Sequence, residues 1–209
     1  MNARTATQDL DAAVSPEDRA RADFYALIAR LFYAGPDAAL LAAIAHADEI
    51  VAEAENISLA QCWKSLTSAA AAMDAEAAQE EYDSVFVGTG KAEITPYASH
   101  YLAESTMKDG VLVRLRAELA GMGLGRDQGV AEYEDHFSSL CEVMRHLIFF
   151  AADVALQKQK TFFVEYLIHC YAGFCVAVIA SPNTNFYKHV ARFTKAFLDL
   201  ETESFEIAQ

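Results

Sequence analysis

Three carboxylate–histidine pairs are the side chains in this sequence that could most readily hold a metal ion. In each pair the two residues are four positions apart, so on a helix they would share one face. The di-iron bundles instead use Glu-x-x-His, a closer spacing, in two helices. An acid four residues before a histidine is also an ordinary helix-stabilising pair, so the pattern predicts no metal and no cofactor. The pairs are Glu132/His136, Glu142/His146 and Glu165/His169.

A phosphate-binding loop and a catalytic nucleophile are not supported either. A P-loop requires G-x-x-x-x-G-K-[S/T] after a strand. The segment Gly88–Lys91 contains the Gly-Lys pair, but Val85 stands at the first glycine position and Ala92 follows the lysine. No Gly-x-Ser-x-Gly motif occurs, and the adjacent Ser99 and His100 lack a third group to orient them. These patterns therefore predict no enzyme.

The charge of the chain limits its partners. Among its 209 residues, 16 Lys and Arg face 30 Asp and Glu, which gives a net charge of −14. Such a surface repels the phosphates of nucleic acids and of anionic membranes, so we expect no nucleic-acid partner and no stable membrane insertion. It attracts cationic ligands, such as a peptide that carries arginines.

The cysteines and the apolar segments predict a cytoplasmic protein. No two cysteines are spaced Cys-x-x-Cys, and free thiols within apolar segments suit a reducing compartment. Residues 1–19 are polar and lack the apolar run of an export signal. The most apolar segment, Cys170–Ala180, is shorter than the roughly 20 residues of a membrane-spanning helix. The cysteines are Cys62, Cys141, Cys170 and Cys175.

Helical periodicity runs through most of the chain, and Gly, Pro and Asn mark the breaks. The first helix starts at Ser15-Pro16, because Ser is a typical N-cap and Pro a typical first residue. Gly35-Pro36-Asp37 ends it and caps the next helix, which extends to about Glu55. Further helices are predicted over Leu59–Met73, Ala75–Val87, Leu112–Ala120, Glu132–Gln157, Thr161–Ala180 and Phe186–Glu203.

Four of the nine glycines lie between Gly121 and Gly129, which favours a hinge there. The sequence therefore predicts an all-α fold, a helical bundle of about eight helices in a single domain. We expect two closely packed lobes, at about residues 15–120 and 132–209, joined by a Gly-rich hinge at about 121–131.

Two segments combine tyrosines with acids in a way typical of peptide recognition. One runs from Glu81-Tyr82 through a loop that contains Pro96, and the other begins at Glu132, just after the predicted hinge. Aromatic rings offer apolar area, and carboxylates pair with Arg or Lys. The acids after the hinge would equally favour the start of a helix, because they complement its dipole. The residues alone leave both interpretations open.

Together these segments resemble the motifs of the TorD/DmsD/NarJ family of redox-enzyme maturation chaperones. That family typically shows E-Y-x-x-L-F-x-G, then P-Y-x-S-x-Y, and later E-P-x-D-H before an apolar helix. This sequence has Val85 for the usual Leu and Tyr133 for the usual Pro, and the resemblance covers roughly residues 20–200. The matching residues are Glu81, Tyr82, Phe86, Gly88, Pro96, Tyr97, Ser99, Tyr101, Glu132, Asp135 and His136.

The resemblance implies a two-lobed helical chaperone of the cytoplasm with no catalytic activity. Members of the family bind the twin-arginine signal peptide and the apo form of a molybdenum-cofactor oxidoreductase, assist cofactor insertion and delay export. Some members form domain-swapped dimers, so a monomer and a swapped dimer are both compatible with the sequence. Two alternatives stay open: a helical metal- or cofactor-binding enzyme that uses the Glu/His pairs, and a scaffold that binds a folded partner.

On this resemblance we expect Glu132 and Asp135 to face the two arginines, since each guanidinium can fork onto a carboxylate. His136 would orient Asp135 or contact the peptide, whose apolar part would lie as a helix in a groove. For Phe86 and Gly88, core packing and a helix C-cap are the favoured interpretation. The residues expected to line or support the peptide groove are Tyr82, Phe86, Pro96, Tyr97, Ser99 and Tyr101.

Overall fold

A computed structural model of the chain describes residues 15–51, 53, 56–101, 105–127, 129, 132–149 and 153–207. Over these residues the backbone forms nine α-helices and no strand, which confirms the predicted all-α class. The helices are α1 Pro16–Tyr33, α2 Ala38–Ala45, α3 Ile57–Ala72, α4 Ala75–Tyr82, α5 Ser105–Gly121, α6 Phe137–Ile148, α7 Asp153–Phe162, α8 Tyr171–Ala180 and α9 Phe186–Ile207.

The helix starts predicted from capping residues are confirmed. The Ser15 hydroxyl accepts the N–H of Asp18 at 3.0 Å, and Pro16 is the first residue of α1. The Asp37 carboxylate accepts the N–H of Leu40 at 2.7 Å and starts α2. Both caps satisfy N–H groups that have no partner within the helix.

The single helix predicted over Glu132–Gln157 is wrong at its start and in its continuity. His136 has an extended backbone, with φ −60° and ψ 135°, and α6 begins only at Phe137. That helix ends at Ile148, and α7 begins separately at Asp153. The apolar pattern does not reveal the break, because residues on both sides of it are buried in the same core.

The helix predicted over Leu112–Ala120 is longer in the structure: α5 begins at Ser105 and ends at Gly121. The helix predicted over Ala75–Val87 is α-helical only to Tyr82, and Asp83–Val87 form a π-helical turn.

Two more helices differ in extent from their predictions. α2 ends at Ala45 rather than near Glu55, and the N–H of His46 closes its last turn. The helix predicted over Thr161–Ala180 is three elements: the end of α7, a π-helical turn over Phe163–Leu167, and α8. Apolar residues continue through all three, so their period gives no sign of the change in backbone geometry.

The apolar C-terminal helices contribute side chains to the core. Within the part of the chain that the structure describes, no single helix is long and apolar enough to cross a membrane. One pair, Leu156–Leu167 with Tyr171–Ala180, passes that test by length and composition alone and is bent by 51°. Its buried residues include Phe162, Phe163, Leu167, Phe174 and Val178.

One apolar core connects the described helices. α1 packs mainly against α6, and α9 packs against α3 and α8. At its centre the ring of Phe32 in α1 packs edge-on against Phe86, Phe137 and Phe174, with ring centroids 5.7, 5.6 and 4.9 Å away. Tilted and edge-on contacts of this kind are the favoured geometry for aromatic pairs. The core thereby joins the motif that contains Phe86 to the start of α6.

The glycine-rich segment follows α5. That helix ends at Gly121, and in the turn after it Gly123 has a φ of +72°. Because α1 packs on α6 and α9 packs on α3, helices from both sides of this segment share the core. The division into lobes 15–120 and 132–209 with a hinge at 121–131 stays a prediction.

The adjacent residues Glu81 and Tyr82 hold three helices together. The Glu81 carboxylate accepts the backbone N–H groups of residues 185–187 at 2.8 to 3.0 Å and so caps the start of α9. The Tyr82 hydroxyl donates to the C=O of Tyr33 at 2.7 Å, at the end of α1. Burial raises the pKa of Tyr82 to about 12, so the hydroxyl stays a donor. The Glu-Tyr pair of the first motif therefore ties α4 to α1 and α9.

Candidate functional site

The two motif segments lie side by side, joined by backbone hydrogen bonds. The N–H of Ala98 donates to the C=O of Asp135 at 2.9 Å, and the N–H of Phe137 donates to the C=O of Pro96 at 2.7 Å. Between these bonds one residue of each segment forms an isolated antiparallel β-bridge. The sequence shows two separate motifs, and the fold makes one unit of them. We call this unit, the second motif over residues 96–101 together with the third over residues 132–137, the paired motifs.

Asp135 lies inside the paired motifs. It is 1% exposed, and its Oδ2 accepts the N–H of Ser99 at 3.1 Å. Ser99 is half-buried in a short 3-10 turn over Ala98–His100. The carboxylate therefore orders this turn, and a ligand would reach it directly only if the turn opened.

His136 is the N-cap of α6 and is also buried. Its Nδ1 accepts the N–H of Ser138 at 3.3 Å and lies 2.7 Å from the Ser138 hydroxyl. Burial lowers the pKa of His136, and the charges of Glu132 and Asp135 oppose that shift. An imidazolium would also be disfavoured at the positive end of the helix dipole. The ring is thus a neutral helix cap, with Nδ1 unprotonated.

Tyr97 connects the paired motifs to Glu132, because its hydroxyl donates a hydrogen bond to the Glu132 carboxylate. Burial and this hydrogen bond raise the pKa of Tyr97, so the hydroxyl stays protonated. The Tyr97 ring packs edge-on against His136, with centroids 5.2 Å apart, and tilts against Tyr133 at 6.1 Å. Tyr133 is 54% exposed, so an aromatic ring accessible to solvent lies next to these groups.

The other residues predicted to line a groove lie mostly in the core. Phe86 is 6% exposed and packs edge-on against Tyr187, as the core-packing interpretation expects. Tyr101 donates to the C=O of Thr95 at 2.9 Å and covers Gly173, where a Cβ would come 3.1 Å from the ring. Their positions indicate that they support the paired motifs, and a direct peptide contact stays a prediction. The remaining buried members of the set are Tyr82 and Pro96.

A cleft of about 520 Å³ opens beside Glu132. It lies between α1, the end of α5, the segment after α5, and α6. Its apolar lining residues are mostly buried and form the floor, whereas acids lie toward the rim. The apolar residues are Ala29, Leu119, Leu124 and Val143. The acids are Asp127, Glu132, Glu134 and Glu142.

Arginines accompany the acids of the cleft. The Arg116 guanidinium donates to the Glu134 carboxylate at 2.9 Å, and this bond lowers the pKa of Glu134. Arg126 lines the cleft and donates from Nη1 to the backbone C=O of Glu132 at 3.4 Å. Arg30, on the α1 side, donates to two carbonyls just after α1. The rim can thus hold guanidinium groups, and two of the chain's own are beside Glu132 and Glu134.

Sequence reasoning did not predict the α1 wall of the cleft. Ala29, Arg30 and Tyr33 line it, and none of them belongs to either motif. Their contribution depends on how α1 packs against α6, which is a tertiary contact without a local signal. Tyr33 is 48% exposed, so a second accessible aromatic ring borders the cleft.

Only one of the three Glu/His pairs lies on a single α-helix, as the spacing suggested for all three. Glu132 and His136 both precede α6. Glu142 and His146 both lie in α6, four positions apart on one face, and Glu142 also lies 3.3 Å from Arg145. Glu165 lies in the π-helical turn over Phe163–Leu167, is 3.4 Å from Arg114, and His169 follows that turn. Among the described residues no three His, Cys, Asp or Glu side chains are grouped as metal ligands.

The all-α fold thus brings the paired motifs together beside a cleft. The model of the nitrate reductase delta subunit family matches residues 52–176, more than half of the chain. The chain therefore belongs to the nitrate reductase delta subunit family, which confirms the resemblance drawn from the motifs. This is a family of chaperones for molybdoenzyme maturation rather than of enzymes. No curated protein matches the chain.

Proposed function

We propose that this protein is a cytoplasmic chaperone that binds the twin-arginine signal peptide of an apo-molybdoenzyme in the cleft beside Glu132. Binding would hold the client while its cofactor is inserted and would delay its export. The observation that carries the proposal is the meeting of the paired motifs with a cleft that has an apolar floor and an acidic rim. That combination matches a peptide in which two arginines precede an apolar stretch.

The chemistry of the cleft supports guanidinium binding at Glu132 and Glu134. Both carboxylates line the cleft, and Glu134 already accepts a bond from an arginine at 2.9 Å. An arginine fork matches a carboxylate better than a lysine does, because it offers two parallel N–H donors. These two acids therefore replace the pair Glu132 and Asp135 as the proposed partners of the arginines, since Asp135 is only 1% exposed.

The apolar part of the peptide would lie on the floor of the cleft. Leu119, Leu124 and Val143 provide apolar area there, and Tyr33 and Tyr133 are exposed rings nearby. A cleft of about 520 Å³ is within the usual range for small-ligand sites and takes a few side chains, not a whole signal peptide. The rest of the peptide would lie on the surface around it.

The buried motif residues would act by positioning this site. Asp135 and His136 order the turn and the helix start on either side of the paired motifs, and Tyr97 holds the Glu132 carboxylate. The residues that we expect to support this arrangement from the core are Tyr82, Phe86, Pro96, Ser99 and Tyr101.

The test is calorimetric titration with a panel of twin-arginine signal peptides, each paired with an Arg-Arg to Ala-Ala control. We expect a Kd of about 1 μM or below, at least tenfold weaker binding of the control, and weaker binding at higher salt. The double variant E132Q/E134Q should bind roughly tenfold less tightly. The matched control E76Q/E80Q makes the same change in net charge at exposed acids of α4 and should bind as the wild type does.

Two results would contradict the proposal. One is an equal affinity for the Arg-Arg and Ala-Ala peptides. The other is the absence of binding to every peptide, and binding of a folded client in that case would favour the scaffold alternative.

A further inference from the structure

Two of the chain's own arginines are bound beside the acids to which the proposal assigns the client's arginines. Arg116 extends from α5 to the Glu134 carboxylate at 2.9 Å. Arg126, in the segment after α5, donates to the backbone C=O of Glu132 at 3.4 Å and lines the cleft. Arg126 also contributes to the lowered pKa of Glu134, so its charge is close to that carboxylate as well.

We propose that Arg116 and Arg126 are an internal substitute for a twin-arginine motif, which the client peptide displaces when it binds. This inference rests on the proposed function, because it assigns a regulatory role to the same acidic site. In the exchanged state the occupant of the site is a peptide with two neighbouring arginine side chains.

The exposures of these side chains suit an exchange of partners. The Glu134 side chain is 13% exposed, whereas that of Arg116 is 49% exposed. The carboxylate is thus kept paired while its partner is accessible to solvent. An arginine on the surface leaves such a pair at a small cost in free energy, because exposed ion pairs are weak. The acid does not have to be left without a partner when a second guanidinium takes the place of the first.

The exchange makes the site selective. A peptide with one arginine could displace one internal arginine, whereas a twin-arginine peptide replaces both, Arg116 at the Glu134 carboxylate and Arg126 beside Glu132. A lysine offers no fork, so it would bind the Glu134 carboxylate less well than an arginine does. The internal arginines therefore lower the affinity for single-arginine and lysine peptides most. They also lower the affinity for the twin-arginine peptide, to a smaller extent.

The experiment compares R116Q/R126Q with the wild type and with R114Q/R192Q, by titration with the same twin-arginine peptide. The control also removes two positive charges, but from other arginines. Arg114 pairs with Glu165, and Arg192 is an exposed residue of α9. We expect R116Q/R126Q to bind the peptide about fivefold more tightly, a factor in keeping with the loss of two weak surface contacts. Its preference for the Arg-Arg peptide over a Lys-Lys peptide should decrease. The single variant R126Q, a change in an exposed residue, should show a smaller gain and keeps the test valid if the double variant folds poorly.

Failure of this inference can be distinguished from failure of the proposed function. If the wild type binds the twin-arginine peptide and R116Q/R126Q binds it equally well or less tightly, Arg116 and Arg126 are not an internal substitute. The proposed function is then unaffected. An equal gain in R114Q/R192Q would show a general effect of net charge and would also refute it. If neither the wild type nor the variants bind any twin-arginine peptide, both proposals fail.

Discussion

The N–H of Ser99 donates a hydrogen bond to the Asp135 carboxylate over 3.1 Å, across a gap of 36 positions in the sequence. Both residues belong to the motifs that indicated the family, one in each segment. Their bond joins the two segments into one structural unit. The Tyr97 hydroxyl and Glu132 repeat this arrangement nearer the cleft.

Removal of the Asp135 carboxylate should destabilise the protein. Asp135→Ala leaves the Ser99 amide without its partner in a half-buried turn, and we expect a loss of about 2 kcal/mol in the free energy of unfolding. Asp135→Asn keeps an acceptor oxygen and should lose less. Urea denaturation followed by circular dichroism measures both values.

Asp23→Asn is the matched control, because it removes an exposed carboxylate of α1. It should change the free energy of unfolding by no more than about 0.5 kcal/mol. If Asp135→Ala is as stable as Asp23→Asn, the carboxylate does not hold the paired motifs together.

His136 should make the stability of the protein depend on pH. Burial lowers its pKa below the ordinary value of 6.5, so the unfolded chain takes up a proton at a higher pH than the folded one. The contribution of His136 is therefore fully present above that ordinary value and decreases as the pH falls below it. Burial lowers the pKa values of His146 and His189 too, so part of the dependence has other sources.

The variant His136→Asn tests this contribution, because Asn is a good N-cap and does not titrate. We expect the loss of melting temperature between pH 7.5 and pH 5.5 to be smaller in this variant than in the wild type. His46→Asn, at an exposed site, should keep the wild-type loss. An unchanged loss in His136→Asn would mean that His136 titrates alike in the folded and unfolded chains.

Much of the secondary structure could be predicted from the sequence, because its signals are local. Ser15 and Asp37 start helices by bonding to N–H groups three residues ahead, and those contacts need no tertiary structure. The break between Ile148 and Asp153 was missed, since an apolar period shows which face is buried and not whether the backbone is continuous.

The candidate site was predicted only in part, for a different physical reason. An acid in a motif suggests a surface group, yet Asp135 is 1% exposed because a backbone N–H from a distant segment pairs with it. The motifs contain Glu132, which lines the cleft, but not Arg116, Arg126 or Tyr33, whose positions depend on the packing of α1 and α5 beside α6. Tertiary contacts of this kind have no counterpart in residue spacing.

Gly88 should tolerate no side chain. Its φ is +64°, and a Cβ would lie 2.3 Å from the C=O oxygen of Lys91, which is backbone and cannot rotate away. We expect Gly88→Ala to lower the free energy of unfolding by about 3 kcal/mol, from the strained backbone and the clash together. Gly90→Ala is the control, since Gly90 also has a positive φ of +97° but no atom within 4 Å of a Cβ. It should lose about 1 kcal/mol, and equal losses in the two variants would show that the clash at Gly88 is relieved.

Glu81 should stabilise the protein as the cap of α9, although its motif suggests a role in binding. Its carboxylate accepts the N–H groups of residues 185–187 from a different helix, which fixes α4 against the start of α9. Glu81→Ala removes these acceptors, and we expect a loss of about 2 kcal/mol in the free energy of unfolding, at the upper end for a helix cap. Glu80→Gln changes the exposed neighbour and should have almost no effect. Peptide titration of the folded Glu81→Ala variant completes the test. We expect reduced stability and a Kd equal to that of the wild type. Wild-type stability with a higher Kd would instead make Glu81 a binding residue.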